Sequence, residues 1–324
     1  MMSTAKAEIT MTCEACNVDC QRFGKHRNGL RRYRCPVCKR TYTEPHRKTL
    51  DAMYIPQDKA VLAARLLLEG NSIRSSERIS GLDRTTIARL LVLAGTRCEK
   101  LLADTIQNLH VRDVEADEIW GYVGMKERAK GRAHKDDAEL GDAYTYVAME
   151  RNSKLILAWH LGKRSREDTL QFIVKLRRAT EGRFQLSTDG WPSYPEAVER
   201  VFGIDIDYAQ IIKVYKASRD GEQRYSPAEV ADVEVVPRVG MPDYERICTS
   251  HIERQNLTMR MQIRRLTRLT NAFSKKWENL QAAVALHFAY YNFCRVHQSL
   301  RVTPAMEAGV TDHVWTIAEM LQGV

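Results

Sequence analysis

Between residues 108 and 212 the apolar positions change period several times. Runs at 111–123, 143–150 and 155–161 alternate or stay apolar as strands do, and 166–180 repeats at helical spacing; 184–189, 194–202 and 204–212 then read as strand, helix and strand. Three strands, a helix, a strand, a helix and a strand is an α/β order. Upstream, 58–69 has helical periodicity and stops at Gly70. A second helical run at 72–79, the turn Ser80-Gly81-Leu82 and a third run at 83–91 read as helix, glycine turn and helix, with Asp83 as the cap. In that last run Ile87, Leu90 and Leu91 share the side that faces a core. Arg84, Thr85, Thr86 and Arg89 are left outward. Residues 213–248, with Gly221, Pro227, Pro237, Gly240 and Pro242 around a strand-like 233–239, fit no single element and are read as an insertion before a basic helix.

The same patterning gives three carboxylates distinctive places. In Val114-Glu115-Ala116-Asp117 the apolar and acidic residues alternate, so Asp117 faces away from the packing side of its strand. Asp189 sits at the exit of the 184–189 strand, which Gly190, Trp191 and Pro192 break. Glu253 opens a basic helix. The element order matches the ribonuclease H-like arrangement, in which the first and fourth strands lie side by side. On that order Asp117 and Asp189 become neighbours and Glu253 descends on them from its helix. The competing reading of these segments alone is three surface carboxylates, and Asp113, Glu115, Glu118, Asp205 and Asp207 stand near enough to replace one of the three.

Composition then narrows the partner. The chain has 324 residues, enough for two or three domains, and 44% hydrophobic content, enough for a sizeable core. Fifty Lys and Arg against 41 Asp and Glu give a formal charge of +9, which favours an anionic polymer over an acidic small molecule. The cations cluster: ten against one acid, Glu44, in 21–48, and seven against one acid, Glu253, in 252–276. In the second stretch Arg254, Arg260, Arg264, Arg265 and Arg268 read as phosphate contacts, against the alternative of a solvated basic face. His251 and Asn256 flank Glu253, where they suit orienting DNA or a metal-bound water; His297, near the aromatic helix 283–293, reads as structural. Met1-Met2-Ser3-Thr4-Ala5-Lys6 has no apolar core of signal-peptide length, and no run of about 18 apolar residues spans a bilayer, so the expectation is an intracellular protein without a membrane partner.

In a reducing compartment eight cysteines are read for metal before disulfides. Cys13-Glu14-Ala15-Cys16, 18 further residues, and Cys35-Pro36-Val37-Cys38 have the spacing of two knuckles that supply four thiolates to one structural Zn²⁺. Cys20 is either spare or a substitute ligand; Cys98, Cys248 and Cys294 have no partner spacing. Between the knuckles Arg22, Lys25, Arg27, Arg31, Arg32 and Arg34 surround Tyr33. That mixture suits DNA contact, because a four-thiolate site has no open position for catalysis.

Taken together, the cysteine knuckles, the helix-turn-helix, Asp117-Glu118-Ile119-Trp120, Asp189-Gly190-Trp191 and His251-Ile252-Glu253-Arg254-Gln255-Asn256 resemble the bacterial insertion-sequence transposases of the insertion sequence one family. The closing Tyr290-Tyr291-Asn292-Phe293-Cys294-Arg295-Val296-His297-Gln298-Ser299-Leu300, followed by Thr303-Pro304, extends the resemblance over nearly the whole chain. That family lies within the wider Asp-Asp-Glu transposase and integrase group. The resemblance implies a zinc ribbon at 1–48, a helix-turn-helix domain at 51–107, and a ribonuclease H-like catalytic domain at 108–300, its mixed sheet flanked by helices. It also implies an insertion at 213–250 and a tail at 301–324. Asp117, Asp189 and Glu253 would be the catalytic acids and ligands of Mg²⁺ or Mn²⁺, and Cys13, Cys16, Cys35 and Cys38 the zinc ligands. Arg31, Arg32, Arg34, Arg84, Thr85, Thr86, Arg89, Arg254, Arg260 and Arg264 would contact DNA. The implied partners are double-stranded DNA, as element ends and as target, and further copies of the chain assembled on it, in a bacterial cytoplasm and at the nucleoid when bound to DNA. A domesticated or inactive relative acting as a DNA-binding regulator, and a nuclease that cuts without joining, are the alternatives.

Overall fold

The computed structural model describes residues 10–26, 30–44, 49–50, 52–131, 134–215 and 230–322. Arg27, the Pro45 that with Leu50 and Pro56 marks the expected junction after the knuckles, and the Gly221 and Pro227 of the expected insertion lie outside the described residues, whereas Leu50 and Pro56 lie within them. The chain divides into two compact units, Met1–Tyr54 and Ile55–Val324.

In the first unit, β1 (Gln21–Lys25), β2 (Arg31–Arg34) and β3 (Thr41–Thr43) form an antiparallel sheet in that order. Strand alternation puts Tyr33 inside, 4% exposed, and Arg32 and Arg34 on the other side, against the ring of Phe23 at 5.5 and 5.0 Å. Beyond Tyr33 the described buried hydrophobic residues of this unit are Cys13, Cys35, Leu50 and Met53. So little apolar burial does not hold a segment of this size together, and a bound ion is the expected supplement.

The second unit opens with α1 (Gln57–Leu68), α2 (Ile73–Ser80) and α3 (Arg84–Thr105). The Ser72 hydroxyl caps α2 by accepting from the Ser75 amide, Gly81 ends it at a φ of 69°, and the Asp83 carboxylate caps α3 by accepting from the Thr85 amide. The third helix runs well past the 83–91 expected from the pattern. Its far half is held by packing on α7 (Trp277–Ala289): a Cβ added at Gly95 would lie 2.4 Å from the Ala282 Cα. Residues 55–107 thus belong to the same compact unit as the sheet that follows.

That sheet is mixed. A short pair, β4 (Leu109–His110) with β8 (Thr180–Glu181), stands beside the main run of β5 (Asp113–Val123), β6 (Gly141–Glu150), β7 (Ile156–Gly162), α4 (Arg166–Ala179), β9 (Gln185–Asp189), α5 (Tyr194–Phe202), β10 (Asp207–Tyr215) and β11 (Val230–Val239). Among the described residues its strand order is β11-β10-β9-β5-β6-β7, with β5, β9 and β10 parallel and the other pairs antiparallel. The first and fourth strands of the α/β region are therefore adjacent, as a ribonuclease H-like sheet requires. Lys213–Tyr215 completes β10, and 230–239 adds an antiparallel edge strand, so the segment expected as an insertion extends the sheet.

Beyond the sheet come α6 (Ser250–Gln262), a tight turn at Arg264–Leu266, α7, a wide helical turn at Tyr290–Cys294, α8 (Pro304–Glu307) and α9 (Ile317–Gln322). The last of these packs on α1 and α3, and Arg97 donates to the Leu321 carbonyl at 3.3 Å. No helix among the described residues is long and apolar enough to cross a membrane.

Candidate active site

β5 and β9 stay paired only as far as Ala116 and Thr188. One residue further, β9 ends at Asp189 and the two strands part. Asp117, Glu118 and Asp189 meet in the gap, where one carboxylate oxygen from each lies within 4.8 Å of the others. Asp117 and Glu118 are consecutive and so leave the strand on opposite faces, which lets both faces of the sheet act on one spot. On one face Asn256 of α6 donates to Asp117 at 2.8 Å. On the other, Arg164 donates to Glu118 at 2.7 Å and Tyr194 of α5 donates to it at 3.1 Å. The Arg164 guanidinium is stacked 4.2 Å from the Trp191 ring and lies 3.8 Å from Asp189. Asp189 also accepts from the Trp191 amide at 3.1 Å.

Crowded and covered carboxylates resist ionisation. Burial first, then the charges of Asp189 and Glu118, hold Asp117 up at about 7. Glu118 is likewise pushed up to about 7 by burial and Asp189, against the opposing pull of Arg164. Asp189 is raised by burial, although the Trp191 amide, Arg164 and Lys213 favour its charge. Hard oxygen donors whose negative charge Arg164 offsets only in part fit a divalent cation such as Mg²⁺ or Mn²⁺.

Glu253 stands apart from the three. Its carboxylate pairs with Lys213 of β10 and accepts from Thr249 at 2.9 Å, while its charge still acts on both Asp117 and Asp189. Of the three acids expected to converge, two lie within 4.8 Å of each other, Glu118 completes their cluster, and Glu253 is outside that group. Glu118 was among the near alternatives in the sequence. Arg164 and Lys213 carry no sequence signal, since one lies in a loop and the other in the segment taken for an insertion.

Three of the other candidate acids, Asp113, Asp207 and Glu115, have structural partners. Asp113 is held by Arg246 at 2.9 Å, and Asp207 by Arg183 at 2.6 and 3.0 Å. Both open parallel strands and so lie at the opposite end of the sheet from the cluster. Glu115, on the same face as Asp117, is 1% exposed. It accepts from the backbone amides of His251 and Ile252 at 2.9 and 3.1 Å and contacts the His251 ring nitrogen at 2.7 Å. A buried carboxylate thereby pins the N-terminus of the helix that carries Glu253 and Asn256 to the strand that carries Asp117.

Among the expected DNA contacts, Arg84, Thr85 and Arg89 are exposed on α3, with Thr86 half-buried, and Ile87, Leu90 and Leu91 are buried as the pattern required. The Thr85 hydroxyl is engaged by Asp83. Arg254 is exposed on α6; Arg260 turns inward to donate to the Leu266 carbonyl at 3.3 Å, and burial holds its guanidinium down at about 10. Arg264 is in the turn after α6. His297 contacts the Ser299 hydroxyl at 3.0 Å within a turn. In the first unit the sulfurs of Cys13, Cys16, Cys35 and Cys38 lie within 4.8 Å of one another, and Cys20 is not in the group. Cys13 and Cys38 are 3.6 Å apart, close to the roughly 3.8 Å between sulfurs on a tetrahedral Zn²⁺. Arg31, Arg32 and Arg34 lie on β2, with Arg31 and Arg34 exposed.

No protein-family model matches the chain, and no curated protein matches it. Among solved structures, it is similar to the Mos1 strand transfer complex, with 14% identity and a TM-score of 0.21 over 51% of this chain and 60% of that one. It is also similar to the piggyBac transposase synaptic complex with hairpin DNA, with 10% identity and a TM-score of 0.37 over 84% of this chain and 71% of that one. A third likeness is to endonuclease V from Bacillus subtilis, with 10% identity and a TM-score of 0.22 over 56% and 86% of the two chains. The chain thus spans about 60% of the length of the Mos1 chain it matches.

Proposed function

We propose that the chain is a DNA transposase of the Asp-Asp-Glu type, which binds the ends of an insertion sequence and cuts and rejoins phosphodiester bonds with divalent metal. The observation that carries the cutting chemistry is the parting of β5 and β9, which gathers Asp117, Glu118 and Asp189 at the carboxyl end of parallel strands. The joining half, with DNA as element end and as target, rests on the resemblance to insertion-sequence transposases. Asp117 and Asp189 would hold the cation, with Glu118 or Glu253 completing its ligands. A divalent cation held by these residues would supply activation of an attacking oxygen and stabilisation of the leaving one, with no need of a protein nucleophile.

The chain's own groups set the geometry for that chemistry. Asn256 fixes one Asp117 oxygen, Arg164 and Tyr194 fix Glu118, and Lys213 holds Glu253 beside the cluster. Arg254, one residue from Glu253 and exposed, is placed for a DNA phosphate. In this reading α2 and α3 form the helix-turn-helix, with Arg84, Thr86 and Arg89 toward the major groove. The first unit is the zinc ribbon, whose Arg31, Arg32 and Arg34 meet the backbone. Copies of the chain would assemble on the paired ends.

The test is an assay on labelled DNA carrying the sequences that flank the coding region, with Mg²⁺ or Mn²⁺. Cleaved and joined products from the wild type that vanish in Asp189→Ala and Glu253→Ala are expected. End binding without any metal-dependent product would make the chain a DNA-binding regulator instead.

A further inference from the structure

A basic groove runs between the start of α2 and α3 on one side and the segment joining α6 to α7 on the other, enclosing about 750 Å³. Arg74, Arg84, Arg264, Arg265 and Lys275 line it, and no Asp or Glu does. None of the five is in an ion pair among the described residues. The remaining walls are mostly hydroxyl and amide side chains, such as Asn279, which suit phosphate oxygens.

Arg265 is the telling residue. It donates no side-chain hydrogen bond among the described residues, and its partial burial pushes the guanidinium down to about 10. A half-buried cation without an anion is less well solvated than one in open water, and four further cations around it add repulsion. The groove is also far larger than a single phosphate needs, and it opens beside Arg84 and Thr85 at the exposed start of α3. An extended polyanion satisfies both features.

The groove is tied to the acid cluster through one strand. Ser274, on its wall, bridges to Val123, and its carbonyl accepts from the Gly124 amide at 2.8 Å. Val123 ends β5, the strand that carries Asp117. At about 3.3 Å per residue the rise from Asp117 to Val123 is about 20 Å. That is about six nucleotides along a DNA strand.

We propose that this groove seats consecutive backbone phosphates of the DNA that the acid cluster cuts, with Arg265 as the anion receptor at its floor. The start of α3 and the α6–α7 connection then grip one stretch of a single duplex about six nucleotides from the scissile bond. This rests on the DNA-cutting reading above.

The experiment measures binding of a duplex that carries the cut site, across a salt series, for the full chain and for Arg265→Met, with melting followed in parallel. Without DNA, Arg265→Met is expected to melt no lower than wild type, because it loses an unpaired cation. It should bind the duplex at least tenfold more weakly. The rim variant Arg74→Ala with Lys275→Ala should reduce the slope of log K against log salt by about two. A neutral methylphosphonate about six nucleotides from the cut should weaken wild-type binding and leave Arg265→Met unaffected. Duplex binding that is the same in wild type and Arg265→Met overturns the groove and leaves the DNA-cutting reading standing. A large fall in melting temperature for Arg265→Met assigns that arginine to folding and also overturns it. Inorganic phosphate that saturates Arg265 at micromolar concentration, without affecting duplex binding, marks a free-anion site and overturns the proposal as well. A wild type that binds no duplex at low salt overturns both readings.

Discussion

Replacing Asp117 by Asn should stabilise the metal-free protein while removing its response to divalent metal. Asp117 is raised from 3.8 to about 7 by burial and by its acidic neighbours. At about 1.4 kcal/mol per unit, ionising it in the folded state costs about 4 kcal/mol above pH 7. The folded state binds the proton more tightly than the unfolded chain. The cost is therefore absent below about pH 4, grows between about pH 4 and 7, and is complete at pH 8. The substitution removes the charge and also gives up one of two 2.8 Å bonds, from the Glu118 amide and from Asn256, that fall on different Asp117 oxygens. That loss is about 1 kcal/mol. The net expectation is a gain of about 3 kcal/mol at pH 8, or about 4–8 °C for a unit of this size, shrinking to under about 1 kcal/mol at pH 5. Thermal unfolding at the two pH values, with and without Mn²⁺, reads it directly: at pH 8 the ion should raise the melting temperature of the wild type and leave Asp117→Asn nearly unmoved. A variant less stable than wild type by the same margin at both pH values, or equally stabilised by Mn²⁺, would show that Asp117 is neither a strained carboxylate nor a metal ligand.

Other consequences can be checked with the same purified chain. Glu115→Ala leaves the amides of His251 and Ile252 without their buried acceptor, at a cost of about 2–4 kcal/mol in thermal unfolding, and should slow cleavage more than it weakens DNA binding; Glu115→Gln keeps one acceptor and should recover part of both. Gly95→Val drives a side chain into the Ala282 backbone and should destabilise the Ile55–Val324 unit by about 1–3 kcal/mol in denaturant unfolding. A strong zinc chelator should expose Tyr33 and Tyr42 to solvent, seen by fluorescence, while far-ultraviolet dichroism from the helices of the second unit persists.

Local signals carried most of what the sequence revealed. The Asp83 cap, the Gly81 stop, the paired cysteines and the strand–helix order each depend on a few adjacent residues, and each is found where the pattern put it. The second half of α3 was not legible, because Gly95 and the polar residues after it suit a helix only once α7 packs against them. Strand β10 starts at Asp207 and not at 204, since Arg183 takes the carbonyls of Ile204 and Ile206 and closes the turn before it. Strand β11 is legible only as the strand-like 233–239, and its place in the sheet is not, because an edge strand with exposed valines shows no buried face. At the site, alternation singled out Asp117 but set Glu118 on the wrong side of the strand. Only the parting of β5 from β9 brings both faces to one point, and strand pairing is a long-range property that periodicity does not report.

The most direct test of the acid cluster as a divalent-metal centre is Mn²⁺ binding to the DNA-free chain, followed by the paramagnetic signal of the free ion at pH 7.5. Wild type, Asp117→Asn and Asp189→Asn are compared after each is shown to be folded. Wild type should bind the ion, and binding should weaken at least tenfold in both variants. Mn²⁺ binding of equal affinity in all three proteins would contradict that assignment.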